Sequence, residues 1–198
     1  MTLCIACSVW GSGSLCGPCR AQMAHVPPMT EAGFRIYSAF RHEGTARRLV
    51  HLLKYQAITA AADLLAAEMV DRLPPSTAAL IPVPRAWIRR ARHGVDPAVE
   101  LAVRLGDRVD VPVVRALRAR LWWPAHAGSD RAARRSPGFF RVTSAPTGAV
   151  LVDDVATTGL TLRTAGEVIG VSRAITATRA LGSTFDRISA QEQTATAE

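Results

Sequence analysis

The chain predicts an α/β protein in which helices flank a parallel sheet and a small four-cysteine module precedes them. Three observations support this. Short apolar runs rich in β-branched residues alternate with stretches of helical periodicity. All four cysteines fall within the first nineteen residues, as two pairs. One apolar run ends in two carboxylates and a Thr-Thr-Gly loop, directly before a helical stretch. We expect three units: a cysteine module (1–24), an α/β domain (34–185) and a flexible tail (186–198).

The composition is that of a globular protein, with 48% hydrophobic residues among 198. No apolar run approaches the ~20 residues that a membrane span needs. The first residues, Met-Thr-Leu-Cys, lack the basic and apolar segments of a secretory signal. We therefore expect a cytoplasmic protein that does not insert into membranes.

The formal net charge of +8 is concentrated in one segment. Residues 85–141 contain thirteen arginines against five acidic residues, and the rest of the chain is balanced. Such a field attracts pyrophosphate, nucleotides or a nucleic-acid backbone. The same segment holds Trp122 and Trp123, which suit either stacking on bases or packing over the sheet.

The cysteines form two Cys-x-x-Cys pairs, Cys4/Cys7 and Cys16/Cys19. This spacing lets both thiolates of a pair reach one tetrahedral ion. In a reducing cytosol, zinc is favoured over two disulfides, and the alternatives are a redox pair or a cluster that no longer binds metal. Four thiolates leave no open coordination position, so the predicted zinc is structural. We interpret His25 as a solvated residue that is not a ligand.

Helices are predicted where apolar residues recur at helical spacing. Leu49, Leu52 and Leu53 mark the first helix, and Pro74-Pro75 stops the alanine-rich second. The predicted helices cover 44–55, 60–73, 97–105 and 160–170.

Strands are predicted at the apolar runs between these helices. They cover 37–40, 79–84, 109–114, 149–152 and 175–180. Residues 115–141 have no clear periodicity and are rich in Arg, Pro, Gly and Ser, which is typical of a long loop that is either functional or disordered.

The stretch 150–161 carries the strongest chemical signal in the chain. Backbone N–H groups and the helix dipole at a strand-loop-helix junction point at a bound phosphate. Asp153 and Asp154 would repel phosphate, but carboxylates accept hydrogen bonds from ribose hydroxyls. A sugar carrying a 5′-phosphate therefore suits both the anion-binding junction and the two carboxylates. The alternative is an acidic turn with Thr157 or Thr158 as the N-cap of an ordinary helix.

The same residues resemble the phosphoribosyl-pyrophosphate (PRPP) signature of type I phosphoribosyltransferases, except that Ala156 replaces a larger aliphatic residue. The resemblance implies that Asp153 and Asp154 serve catalysis by taking the ribose hydroxyls and favouring positive charge on the sugar. It implies a magnesium ion that bridges pyrophosphate and ribose oxygens. The residues expected around PRPP are Val155, Ala156, Thr157, Thr158, Gly159 and Thr161.

Several ordered matches over residues 3–183 are similar to the ComF subgroup of this superfamily. They are the cysteine pairs, His-Leu-Leu-Lys-Tyr at 51–55, Ile-Pro-Val-Pro at 81–84 and the basic stretch at 90–96. The group joins a zinc module to a type I phosphoribosyltransferase domain and is associated with DNA uptake in natural competence. One departure is Val95-Asp96, where the group carries Phe-Asn.

The resemblance implies displacement of pyrophosphate from PRPP, or from a related ribose 5-phosphate ligand, by an acceptor that the sequence does not reveal. Arginines suit bidentate phosphate contacts, and the candidates for pyrophosphate are Arg85, Arg89, Arg90 and Arg92. The alternative function is non-catalytic binding of single-stranded DNA or of DNA-uptake proteins. Lys54 ends a helix, where the dipole already favours a cation, so it is not placed in the site.

Overall fold

A computed structural model describes residues 1–84, 94–119 and 140–181. It confirms a mixed α/β fold in which helices flank a mostly parallel five-stranded sheet. Among the described residues, no helix combines the length and the apolar character that crossing a membrane requires.

The strands and helices alternate through the body of the chain, as the apolar periodicity predicts. The described strands are β1 (Thr2–Leu3), β2 (Trp10–Gly11), β3 (Met29–Glu31), β4 (Phe34–Arg41), β5 (Ala79–Pro82), β6 (Leu117–Ala119), β7 (Phe140–Val142), β8 (Ala149–Ala156) and β9 (Arg173–Arg179). The described helices are α1 (Gly17–Ala21), α2 (Gly44–Gln56), α3 (Ala60–Met69), α4 (Pro97–Val109) and α5 (Leu160–Ile169).

The main sheet has the strand order β3-β4-β9-β8-β5. β3 runs antiparallel to β4, whereas β4, β9, β8 and β5 are mutually parallel. The carboxyl ends of these four strands therefore meet at one edge, where open α/β sheets bind their ligands.

Two layers of apolar side chains cover the sheet. On one face, α2, α3 and α4 pack on Val150, Val152 and Ile175, and the cysteine module joins the same core. On the other face, α5 packs on Leu151 and Ala174. β8 is buried on both sides, which is why it reads as a continuous apolar run rather than an alternating one.

The helices predicted over 44–55 and 97–105 are confirmed and end one and four residues later. The one predicted over 60–73 ends at Met69 and gives way to a 3₁₀ turn, Val70–Arg72. The last helix and the strands at 37–40, 149–152 and 175–180 are confirmed with shifted bounds.

The strand predicted over 109–114 is wrong. Val109 belongs to α4, and Asp110 adopts a left-handed φ of 53° that ends the helix. Beyond it, Val113 makes an isolated bridge to Leu80. The alternating valines predicted a strand. In the structure, the N–H of Val111 donates to the Gly106 carbonyl at the helix end, and Val113 lies along β5 at the sheet edge. The predicted strand at 79–84 ends at Pro82, and the predicted loop 115–141 begins and ends with the short strands β6 and β7. The predicted tail lies outside the described residues.

Gly166 sets how closely α5 approaches the sheet. A Cβ at this position would lie 2.3 Å from the Val171 carbonyl oxygen and 2.4 Å from Cε2 of Phe34. Helix propensity alone predicts that Gly166→Ala stabilises the protein by about 1 kcal/mol. We expect the opposite, a loss of about 1–3 kcal/mol in the free energy of unfolding, because the helix must shift.

Urea denaturation measures this change, and Glu167→Ala on the exposed side of the same helix is the matched control. If the urea midpoint of Gly166→Ala equals or exceeds that of the wild type, the close approach of α5 to Val171 and Phe34 does not limit the residue at this position.

Candidate functional site

The carboxyl end of β8 carries the two aspartates in different environments. Asp154 is buried, whereas Asp153 is partly exposed. The backbone N–H of Asp154 donates to Oδ1 of Asp153 over 2.8 Å, which orients that carboxylate at the strand end. Of the two, Asp153 is the carboxylate that an incoming ligand can reach.

Asp154 forms a buried ion pair with Lys54. The Nζ–Oδ2 distance is 2.7 Å, and the two side chains are 20% and 7% exposed. Lys54 comes from the last turn of α2, so the pair joins that helix to the end of β8. The helix dipole argument gave Lys54 a sufficient reason to be there and so missed this role. Its being the only lysine beside 23 arginines was the available signal, since lysine carries a compact point charge where arginine carries a planar fork of donors.

Two histidines lie beside this pair, and sequence reasoning did not place either in the site. His42 follows β4, and its Nδ1 lies 2.8 Å from Oγ1 of Thr178 in β9. His51 lies one turn before Tyr55 on α2, with its ring centre 6.2 Å from that of His42 and 5.3 Å from that of Tyr55. Burial lowers the pKa of both imidazoles, and the cations Arg47 and Lys54 lower it further.

The loop between β8 and α5 exposes Thr157 and Thr158 and buries Gly159. Oγ1 of Thr158 accepts from the backbone N–H of Leu160 at 3.4 Å. The N-cap residue is Gly159, so neither Thr157 nor Thr158 holds the N-cap position that the alternative interpretation gave them. Within the described residues, no backbone N–H of residues 157–159 donates to a backbone carbonyl. The loop thus presents donors at a helix N-terminus, the arrangement that binds anions.

Residues of β3 and β4, on the other side of β9 from β8, hold this loop in place. Gly159 has a φ of +67°, and a Cβ there would lie 2.6 Å from Cδ1 of Ile36 and 3.4 Å from Cε of Met29. An ion pair between Glu31 and Arg163 ties β3 to the first turn of α5. The positive φ favours glycine at this turn, and a larger residue would also displace the ends of the Ile36 and Met29 side chains.

The remaining predicted residues divide into three groups. Thr161 is partly exposed in the first turn of α5, close enough in sequence to face the same anion. Ala156 is buried in the core on the α5 face of the sheet, and the partly exposed Val155 packs against the core on the opposite face. The pyrophosphate candidates Arg85, Arg89, Arg90 and Arg92 lie outside the described residues.

The four cysteines converge on one point. Their Sγ atoms all lie within 4.8 Å of one another, and none forms a disulfide. The Sγ atoms of Cys7 and Cys16 are 3.7 Å apart, and a tetrahedral thiolate site with 2.3 Å bonds needs about 3.8 Å. The cluster therefore forms a site that can hold a metal ion.

The backbone prepares this cluster for a cation. Burial raises the pKa of the Cys4 thiol, but N–H groups of Cys16, Cys7 and Ala6 outweigh burial and bring the pKa to about 6. Burial and the neighbouring sulfur atoms raise the pKa of Cys19 to about 12. Thiolates crowded in this way need a cation to neutralise them. The Nδ1 of His25 lies instead 3.0 Å from the Ala39 carbonyl oxygen, apart from the cluster.

The cysteine module packs directly on α2. Cys19 and Met23 share a core with Leu49 and Leu53, and Thr45 in the first turn of α2 hydrogen-bonds Gln22 at 3.1 Å. The first turn of α2 thus contacts the metal site and its last turn holds Asp154.

Comparison of the chain with protein-family models and with curated proteins gave no match.

The cysteine geometry predicts a metal complex with a visible signature. Titration of the reduced protein with Co²⁺ should give one equivalent of a tetrahedral thiolate complex, seen in its absorption bands, because all four sulfur atoms face one centre. Zn²⁺ should displace the cobalt, since it binds thiolates more tightly.

Cys16→Ser should weaken Co²⁺ binding at least tenfold, whereas Ser14→Ala in the same loop should leave it unchanged. Equal Co²⁺ affinity in the two variants would argue against a four-thiolate site.

The Lys54–Asp154 pair predicts that removing one charge destabilises the protein more than removing both. Lys54→Gln leaves a buried carboxylate without its cation, and we expect a loss of about 3 kcal/mol in the free energy of unfolding at pH 7.

The double variant Lys54→Gln/Asp154→Asn should recover part of this stability at pH 7. Urea denaturation curves of the wild type and both variants provide the measurement. A double variant no more stable than Lys54→Gln would contradict the ion-pair account.

Proposed function

We propose that the chain is a ComF-like phosphoribosyltransferase that binds PRPP with Mg²⁺ and transfers the phosphoribosyl group to an acceptor, releasing pyrophosphate. The observation that carries the proposal is the position of Asp153 beside an open loop at a helix N-terminus, on the carboxyl edge of a parallel sheet. A ribose 5-phosphate needs a carboxylate for its hydroxyls and a loop for its phosphate, and the two must lie within the length of one sugar.

The phosphate half rests on residues 157–161. Three successive N–H groups and the amino end of the ten-residue helix α5 favour a dianion. The first turn of α5 contains no acidic residue to oppose it. The hydroxyls of Thr157, Thr158 and Thr161 add donors at the rim.

The ribose half rests on Asp153. Its partly exposed carboxylate accepts hydrogen bonds from hydroxyls. As the bond to pyrophosphate lengthens, the sugar gains positive charge, and a fixed carboxylate then binds it more tightly than in the ground state. Mg²⁺, when bound with PRPP, neutralises the pyrophosphate and so improves it as a leaving group.

Asp154 has a different role from Asp153 in this scheme. Lys54 compensates the charge of Asp154, which limits the repulsion of an anionic substrate by this carboxylate. Asp154 therefore positions Lys54 and the strand end.

We propose zinc as the metal of the cysteine cluster. Four thiolates with tetrahedral spacing match structural zinc sites, and zinc brings no redox chemistry to them. The burial of the cluster against α2 supports a structural role.

DNA binding by the basic segment is the second candidate function, carried by its excess of arginine. Among the described residues, Arg115 and Arg118 are exposed. Arg104 and Arg108 are instead committed to ion pairs with Asp63. The positive charge available to a nucleic acid is thus smaller than the sequence count.

Calorimetric titration of Mg²⁺·PRPP tests the first function. We expect saturable binding to the wild type and at least tenfold weaker binding to Asp153→Asn, because the neutral amide accepts from the ribose hydroxyls less strongly. Asp107→Asn, an exposed carboxylate on α4, is the matched control and should bind like the wild type.

The absence of PRPP binding in folded, metal-loaded wild type would overturn the enzyme proposal. Binding of a single-stranded oligonucleotide that weakens steeply with salt would then support the second function.

A further inference from the structure

A chain of hydrogen bonds connects His42 to the aspartate edge. Nδ1 of His42 lies 2.8 Å from Oγ1 of Thr178, and Thr178 Oγ1 donates to the backbone carbonyl of Asp154 at 3.4 Å. Since these two bonds are in series, His42 Nδ1 lies within about 6 Å of that carbonyl oxygen. His42 therefore belongs to the same edge as the proposed ribose site.

The two bonds allow the ring proton to be assigned. With the Thr178 hydroxyl donating its single hydrogen to the Asp154 carbonyl, its oxygen accepts from His42, and we assign the proton to Nδ1. In the neutral ring Nε2 then carries the lone pair. Among the described residues, Nε2 of His42 has no hydrogen-bond partner.

The surroundings keep the imidazole neutral. His42 is half-buried, and burial lowers its pKa, as do His51, Lys54 and Arg47 on α2, against a smaller opposing effect of Asp154. On the β9 side, the carbonyl of Arg179 accepts from the backbone N–H of His42 at 2.7 Å. A neutral ring with a free lone pair can accept a proton at physiological pH.

We propose that His42 is the general base that takes the proton of the acceptor when it attacks the anomeric carbon of PRPP; this inference rests on the proposed function. The strand order supports it. β9 and β4 lie on one side of β8, and β5 lies on the other. His42 follows β4 and so lies on the β9–β4 side of the proposed ribose site. An acceptor that approaches the sugar from that side can pass its proton to Nε2.

The step balances without a further reactant. A lone pair of the acceptor forms the bond to the anomeric carbon, and the bond from that carbon to pyrophosphate breaks with its electron pair left on pyrophosphate. The acceptor proton passes to Nε2 of His42 and leaves to solvent afterwards. The inference thus requires an acceptor whose attacking atom carries a hydrogen.

Two simple nucleophiles separate this role from a structural one. Water must lose a proton as it attacks, whereas the azide anion has none to lose. Pyrophosphate release from Mg²⁺·PRPP is measured with water alone and with added azide. His42→Asn keeps a donor near the Nδ1 position for Thr178 but replaces nothing at Nε2, and His25→Asn is the matched control.

We expect His42→Asn to bind PRPP like the wild type, to lose at least tenfold of the water reaction and to keep the azide reaction. Equal loss of both reactions, loss of neither, or PRPP binding without turnover in the wild type would overturn the role of His42. A wild type that fails to bind PRPP would instead overturn the proposed function itself.

Discussion

The buried ion pair between Lys54 and Asp154 is the contact on which the arrangement of the site depends. It joins the end of α2 to the end of β8 at a distance of 2.7 Å, across 100 residues of sequence. Either charge alone would be costly in this environment, so the pair specifies one position of the helix over the sheet. That position brings His51 and Tyr55 to the edge where His42 and Asp153 also lie.

The same helix links the two ends of the molecule. Its first turn packs against the cysteine module and its last turn holds Asp154, over the ~20 Å that thirteen residues span. A metal ion in the cysteine cluster would therefore stabilise the module that packs against the first turn of α2. This gives a physical reason for a closed metal site to accompany a ligand site that it does not touch. Stability and ligand binding should respond together to loss of the metal.

Local patterns predicted well those features that depend on neighbouring residues. The aspartates, loop and helix of 150–161 form one continuous stretch, so their arrangement follows from sequence alone, as does the convergence of two Cys-x-x-Cys pairs. Lys54 and His42 contact Asp154 and Thr178 only because of the order of the strands in the sheet. A pattern of neighbouring residues does not predict such contacts. The valines at 109–113 misled because alternation is compatible with both a strand and a helix end. There the left-handed turn at Asp110 decided the outcome.

A crystal structure of the metal-loaded protein with Mg²⁺ and PRPP would test the central claim most directly. We predict that the 5′-phosphate lies within hydrogen-bond distance of the N–H groups of residues 157–159 and that the ribose hydroxyls lie on Asp153. The Lys54–Asp154 pair should remain intact beneath them, and Nε2 of His42 should face the sugar from the β4 side. PRPP bound away from the β8–α5 loop, or a ribose that does not contact Asp153, would contradict the account.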